Sequence, residues 1–290
     1  MNGDTTMIVD ERRTTLLAAA LSDDLAMLSE RVRAGVVEIS DGRGTGAGTI
    51  WSADGLIVTN HHVVPGDGAK VTLTDERVFD ARVVSNMPER DLALLKVDAT
   101  NLPALPVGDS TRLRPGELVI AVGHPHGVPG VVTAGIFSRF GPYEGRGGRH
   151  FREGLLADLE LRPGNSGGPL VNARGEVVGI NAMVLGPGTA MAVPSATVAR
   201  LLVARDRRTL GVQVGIVENG DLMILDIAAG TLADRAGLLP GDILRAIDGE
   251  PIEEPGDIPW ALNGVADDAS ITIAVWRAGE LHEVRVSIQQ

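Results

Sequence analysis

The chain has no cysteine in 290 residues. That excludes a disulfide, a thiolate nucleophile and a cysteine-based zinc site, and it fits any redox compartment. Aromatic side chains make up only 3% of the residues, and none precedes Trp51. No apolar run is long enough to cross a bilayer. Basic residues are outnumbered 26 to 38 by acidic ones, for a net charge of −12. No block of Lys and Arg offsets that balance, which disfavours nucleic acid or an anionic membrane as a partner. The first residues also lack a signal peptide's order of basic end, apolar core and small-residue cleavage site. Asp4, Asp10 and Glu11 come too early, and Asp23 and Asp24 interrupt the apolar part. The expectation from this start is a cytoplasmic protein, or a periplasmic or otherwise extracytoplasmic one if a leader has been trimmed away.

The chain is long enough for one large or two to three ordinary domains. From Asp10 to Arg33, apolar residues recur every three to four positions (Leu16, Leu17, Ala20, Leu21, Leu25, Leu28, Val32). That spacing predicts an amphipathic helix, packed either on its own domain or on an oligomeric neighbour. From Gly35 to Ala192 the period becomes that of strands. Runs such as "VVEIS", "LIVTN", "LALLKV", "LVIAVG" and "VVGINAM" are separated by Gly, Pro, Asp or Asn. About a dozen strands without alternating helices indicate an all-β barrel or sandwich. A helix follows to about Arg205, with Ser195 as its N-cap. From Thr209 to Ile288, strands mix with short helical pieces near Thr231–Ala236 and Asp257–Asn263. The organisation is a helical segment at 1–34, an all-β unit at 35–205 and a small α+β unit at 209–290.

"PGNSGGPL", residues 163–170, surrounds one serine with three glycines and two prolines. A serine hydroxyl attacks a carbonyl only when a base takes its proton and a third group orients the base. The all-β unit supplies His62 in "VTNHHVV", Asp91 in "ERDLALLKV" and Ser166, in that order. His62 and Asp91 sit at strand ends, where a rigid scaffold presents reactive groups. Glycines let the amides of Gly164 and Ser166 point into one cavity, an oxyanion hole built from Gly164, Asn165 and Ser166.

These motifs resemble those of the chymotrypsin-like serine proteases of the HtrA family. "GTGAGTIWSADGLIVTN" is similar to the stretch before that family's catalytic histidine, and the last 80 or so residues resemble a PDZ domain. The resemblance implies a mainly β fold: a chymotrypsin-like double β-barrel followed by a small α+β PDZ domain, preceded here by the N-terminal helix. It implies a serine endopeptidase acting on unfolded or damaged polypeptides, without a cofactor or metal. His62 would be the general base, Asp91 its orienting acid and Ser166 the nucleophile, with His61 structural. Asn165 is neutral and cannot pair with a newly cut N-terminal ammonium, so activation by N-terminal cleavage is not expected.

Glu160, Leu161, Ala182, Met183 and Val184 would surround the substrate pocket, with Glu160 either in it or turned outward while Leu161 lines it. Leu210, Gly211 and Val212 would offer amides to a peptide's C-terminal carboxylate, and the strand from Val212 would pair with that peptide. Arg146, Arg149 and Arg152 fall in a stretch resembling the family's sensor loop. The His-x-His pair His124 and His126 lacks further metal ligands; relatives carry Asn and Phe there. Family members assemble as trimers through aromatic residues near the N-terminus, which this chain lacks; its leucine-rich helix could substitute. A chaperone-like or PDZ peptide-binding scaffold with an idle protease domain remains the alternative.

Overall fold

The structure is a computed structural model that describes residues 11–124, 130–144, 150–186, 188–203, 209–217, 220–263, 265 and 269–288. It divides into two compact units, Met1–Ala196 and Thr197–Gln290.

The first unit opens with helix α1 (Glu11–Ala34). Among its described side chains, Leu28 and Val32 are buried and Leu25 is half-buried, whereas Leu21 and Met27 stand in solvent. Twelve strands follow, in two closed antiparallel barrels. The first comprises β1 (Val36–Ser40), β2 (Thr45–Ser52), β3 (Leu56–Thr59), β4 (Gly68–Thr72), β5 (Val78–Met87) and β6 (Leu92–Val97), in the order β1-β2-β3-β6-β5-β4. Val37, Ile39, Ile50, Ile57, Val71 and Leu95 belong to its core. The second comprises β7 (Leu118–Gly123), β8 (Val131–Glu144), β9 (His150–Asp158), β10 (Pro169–Asn172), β11 (Val177–Gly186) and β12 (Thr189–Pro194), in the order β10-β11-β12-β9-β8-β7. Val119, Phe137, Leu155, Ala157, Leu170 and Val178 lie in its core. Closure removes the unpaired edges that open β-sheets leave exposed. The β-branched and leucine content of short runs explains the strands; pairing across both barrels is set by long-range register.

Helix α2 (Ser195–Val203) begins where β12 ends. Ser195 does not cap it as expected. Its hydroxyl donates to the Gly108 carbonyl at 2.7 Å and accepts from the Ser110 amide at 3.2 Å, so it staples the β6–β7 connection to the helix start. The half-buried Gly108 carbonyl finds its partner in this hydroxyl.

In the second unit, β13 (Val212–Ile216), β14 (Leu222–Ile227), β15 (Ile243–Ile247), β17 (Ser270–Arg277) and β18 (Glu280–Ser287) form an antiparallel sheet in that order. The short β16 (Glu250–Pro251) pairs with β15. Helices α3 (Leu232–Arg235) and α4 (Asp257–Asn263) complete it. Along β17, Ile271, Ile273 and Val275 are buried while their neighbours are not, the alternation of a sheet with one face on a core. Leu222, Ile224, Leu244, Ile258, Leu262 and Ile273 belong to that core.

Candidate active site

The first barrel presents two strand ends side by side. β3 pairs antiparallel with β6 through Thr59 and Ala93. The segment leaving β3 therefore runs alongside the segment entering β6. Leaving β3, Asn60 introduces a 3-10 turn at His61–Val63. Entering β6, a 3-10 turn at Pro88–Arg90 ends on Asp91, whose φ of 51° is left-handed. For a non-glycine residue that backbone costs on the order of 1 kcal/mol, and it persists only where the surroundings hold it.

They do hold it. The Asp91 side chain is fully buried, and its carboxylate accepts from His62 Nδ1 at 2.7 Å (Oδ2) and 2.9 Å (Oδ1). It also accepts from the His62 amide at 3.0 Å. The imidazole, 31% exposed, thus has one nitrogen committed to a buried carboxylate and part of its ring open to solvent. This fixes the tautomer with the proton on Nδ1 and leaves Nε2 as a base. His61 places its Nδ1 in the interior without a partner among the described residues.

The second barrel supplies the serine in the loop between β9 and β10. Gly164 and Gly167 both adopt left-handed backbone, with φ of 101° and 85°. At Gly167 there is a further reason for glycine, the closeness of neighbouring atoms. The Gly164 carbonyl accepts from the His124 amide at 3.0 Å, and a Cβ on Gly167 would collide with Ala47 O and Thr59 Oγ1. The serine loop is bonded to the first barrel directly. The Ala47 amide donates to Ser166 O at 2.8 Å, and Thr49 Oγ1 donates to Gly167 O at 3.1 Å. Thr59 Oγ1 in turn donates to Ala47 O at 2.8 Å. Ser166 is thereby anchored to β2 and to the last residue of β3, three residues before His62. A Cβ on Gly46 would lie 2.7 Å from Val63 Cγ1 and 3.3 Å from Ser166 O, so the neighbours of His62 and Ser166 meet over one glycine.

Within the loop, the Asn165 amide donates to Arg162 O at 3.0 Å and is not free to face the cavity. The amides of Gly164 and Ser166 make no main-chain hydrogen bond among the described residues. The side chain of Asn165 is buried, with Oδ1 unpartnered among the described residues. Ser166 Oγ donates to Ala182 O at 3.3 Å.

The pocket residues separate by burial. Glu160 is 67% exposed and pairs with Arg162 at 3.5 Å. Leu161 and Ala182 are buried, Met183 is half-buried and Val184 is exposed. A carboxylate in the pocket would need a partner to offset its lost hydration, and Arg162 draws Glu160 outward. His124 is buried with neither ring nitrogen partnered among the described residues. Burial pushes its pKa down from the ordinary 6.5 to about 4, helped by the charge of Arg33. His126, Arg146 and Arg149 lie outside the described residues, as does the side chain of Arg152. In the second unit, Leu210 is buried and the amides of Leu210 and Gly211 make no main-chain hydrogen bond among the described residues. Val212 starts β13, an edge strand paired on one side only, with β14.

Sequence reasoning reached His62, Asp91 and Ser166 but missed what grips Asp91 from behind. Asn60 donates from Nδ2 to the Asp91 carbonyl at 2.9 Å, both residues fully buried. Its only signal was an amide-bearing residue two places before the histidine.

Two six-stranded barrels with a His–Asp pair and a serine loop at their junction, followed by a six-stranded sheet with two short helices, define a chymotrypsin-like peptidase unit joined to a PDZ unit. The comparisons agree on both parts: residues 46–180 match the trypsin-like peptidase domain family, and residues 223–277 match the PDZ domain. The chain belongs to the HtrA-type serine proteases. A probable periplasmic serine endoprotease, DegP-like, of Marinomonas sp. is 36% identical over 268 residues, covering 84% of this chain and 56% of that protein. A putative serine protease, HhoB, of Synechocystis sp. is 36% identical over 247 residues, 74% of this chain and 59% of that one. The chain thus spans a little more than half the length of these curated relatives. Among solved structures, the HtrA-type protease AlgW with tripeptide superposes with a TM-score of 0.62 at 30% identity, covering 90% of this chain and 95% of that one.

The expected cytoplasmic location is corrected by these findings. The DegP-like relatives from Marinomonas, Brucella and Rhizobium are named periplasmic. The expectation had rested on the first residues alone, and a leader is a removable segment that leaves no trace in the folded domain.

Proposed function

We propose that this chain is a serine endopeptidase that hydrolyses peptide bonds of unfolded or damaged polypeptides, with the PDZ unit tethering or regulating it. The observation that carries the reading is the buried Asp91 carboxylate bonded to His62 Nδ1, on the barrel edge to which the Ser166 loop is fastened. His62 Nε2 takes the Ser166 proton as Oγ turns from the Ala182 carbonyl toward the scissile carbon. Asp91 stabilises the imidazolium that results and remains ionised. The oxyanion forms against the amides of Gly164 and Ser166, which have no competing main-chain partner among the described residues. His62 then protonates the leaving amine, and water repeats the sequence on the acyl-serine.

The same reading takes Leu161, Ala182 and Met183 as a pocket for a small aliphatic P1 side chain, supported by the outward turn of Glu160. Peptide C-termini would bind at Leu210, Gly211 and Val212 and add a strand to the open edge of β13. The domain ranges 1–34, 35–205 and 209–290 belong to it, as does a homotrimer contacting through the exposed Leu21 and Met27 of α1. Light scattering tests that assembly: a monomeric mass discards the trimer.

A β-casein digest with wild type and Ser166→Ala, beside fluorophosphonate labelling, tests the chemistry. Cleavage and labelling by wild type alone are expected, with cuts after small aliphatic residues. No cleavage by either protein would leave an idle scaffold, and cuts after Lys or Arg would overturn the pocket.

A further inference from the structure

We propose that Asn60 is a positioning residue for the proton-transfer pair, holding Asp91 by its main chain while His62 holds the carboxylate. This rests on the peptidase reading above and deepens it. Two residues of one turn grip Asp91 at opposite ends: Asn60 Nδ2 donates to its carbonyl at 2.9 Å, and His62 donates to its carboxylate from both Nδ1 and the amide. Asp91 needs such a grip because its left-handed backbone, φ 51°, is one that an L-residue abandons when released.

The orientation of the Asn60 amide follows from chemistry. With the group flipped, its oxygen would face the Asp91 carbonyl oxygen, two acceptors without a proton between them. Asn60 Oδ1 is buried and has no hydrogen-bond partner among the described residues. A buried amide left with an unpartnered oxygen is a cost to the fold. Its retention here is accounted for if the amide's donor half fixes the carboxylate. Asn60 touches neither the scissile bond nor the nucleophile, so it acts through Asp91 alone.

The test uses Asn60→Ala and the nearly isosteric Asn60→Asp, which puts an acceptor where the donor was. Thermal melts identify which variants are folded at the assay temperature, and one folded variant suffices. With the donor gone, Asp91 relaxes by a fraction of an ångström. We expect kcat to fall about 10- to 100-fold while KM stays within about twofold, since misplacement at this scale acts on the reacting geometry and not on substrate binding.

A merely structural role would lower the melting temperature and leave kcat of the folded protein unmoved; that result overturns the inference. Wild type that fails to cleave casein or to label with fluorophosphonate sinks the peptidase reading itself. Active wild type beside a folded Asn60 variant with unchanged kcat sinks only the role given to Asn60.

Discussion

His124→Asn should make the protease unit more acid-tolerant, by an amount the structure sets. His124 is buried, has no partner on either ring nitrogen among the described residues, and shares its surroundings with the Arg33 charge. Burial and that charge lower its pKa from 6.5 to about 4. For a base depressed in the folded state, the associated stability is fully present above the unfolded pKa. It drains away as pH falls from 6.5 through about 4, because the unfolded chain binds the proton first. The full span amounts to about 3 kcal/mol, and lowering the pH from about 7.5 to about 5 forfeits about 2 kcal/mol of it.

For a unit of this size each kcal/mol is worth roughly 2–4 °C of melting temperature, so the step corresponds to about 4–8 °C. The assay is the melting temperature of wild type and His124→Asn at both pH values. Any packing loss from the shorter side chain is the same at both and cancels in the comparison. The asparagine variant should gain about 4–8 °C relative to wild type on acidification. A relative change below about 1 °C would refute the reasoning and mean that His124 takes up its proton without opposition. The matter touches function because the His124 amide holds the Gly164 carbonyl, and with it the loop proposed to bind the oxyanion.

Two further predictions concern the framework. Gly167→Ala places a Cβ against Ala47 O and Thr59 Oγ1 at a left-handed φ of 85°; main chain cannot yield as a side-chain end can. It should cost more than about 3 kcal/mol in a thermal or urea melt, and a variant melting within about 2 °C of wild type would contradict the packing. In the PDZ unit, Asp242 is buried and bonded to Arg277 Nε and to the Leu239 amide. Burial works to raise its pKa, but the Arg277 and Leu239 bonds prevail and hold it below 3.8. Its stabilisation is therefore present above 3.8 and lost as pH falls below that value. Arg277→Ala should destabilise this unit by about 3 kcal/mol at neutral pH by stranding the buried charge, read as a lower urea midpoint of its transition. An unchanged midpoint would show that solvent reaches Asp242.

What could be read from the residues divides by the range of the interaction. The strands of both barrels, the helix at α1 and the order histidine, aspartate, serine were legible because each is written in a few consecutive residues. The left-handed turns of the serine loop were legible from its glycines, whereas the amide of Asn165, expected to face an oxyanion, is bonded to Arg162 within the loop's own turn. Less was legible where a side chain chooses between partners. Ser195 looked like a cap and became a staple to Gly108, because a half-buried carbonyl 87 residues away competes for its hydroxyl. The stripe on α1 looked continuous, yet Leu28 and Val32 are covered and Leu21 is not.

By itself the sequence determined the chemistry available: one serine in a loop of glycines, one histidine and one aspartate at strand ends, a second unit of its own, and no thiol. Tertiary structure alone decided which atoms meet. The β3–β6 register put His62 beside Asp91, β2 fastened the serine loop to that edge, and the Asn60 side chain came to donate to the left-handed main chain of Asp91. The reason is physical: propensity acts over a few bonds, whereas a hydrogen bond between residues tens of positions apart exists only after the barrels have closed.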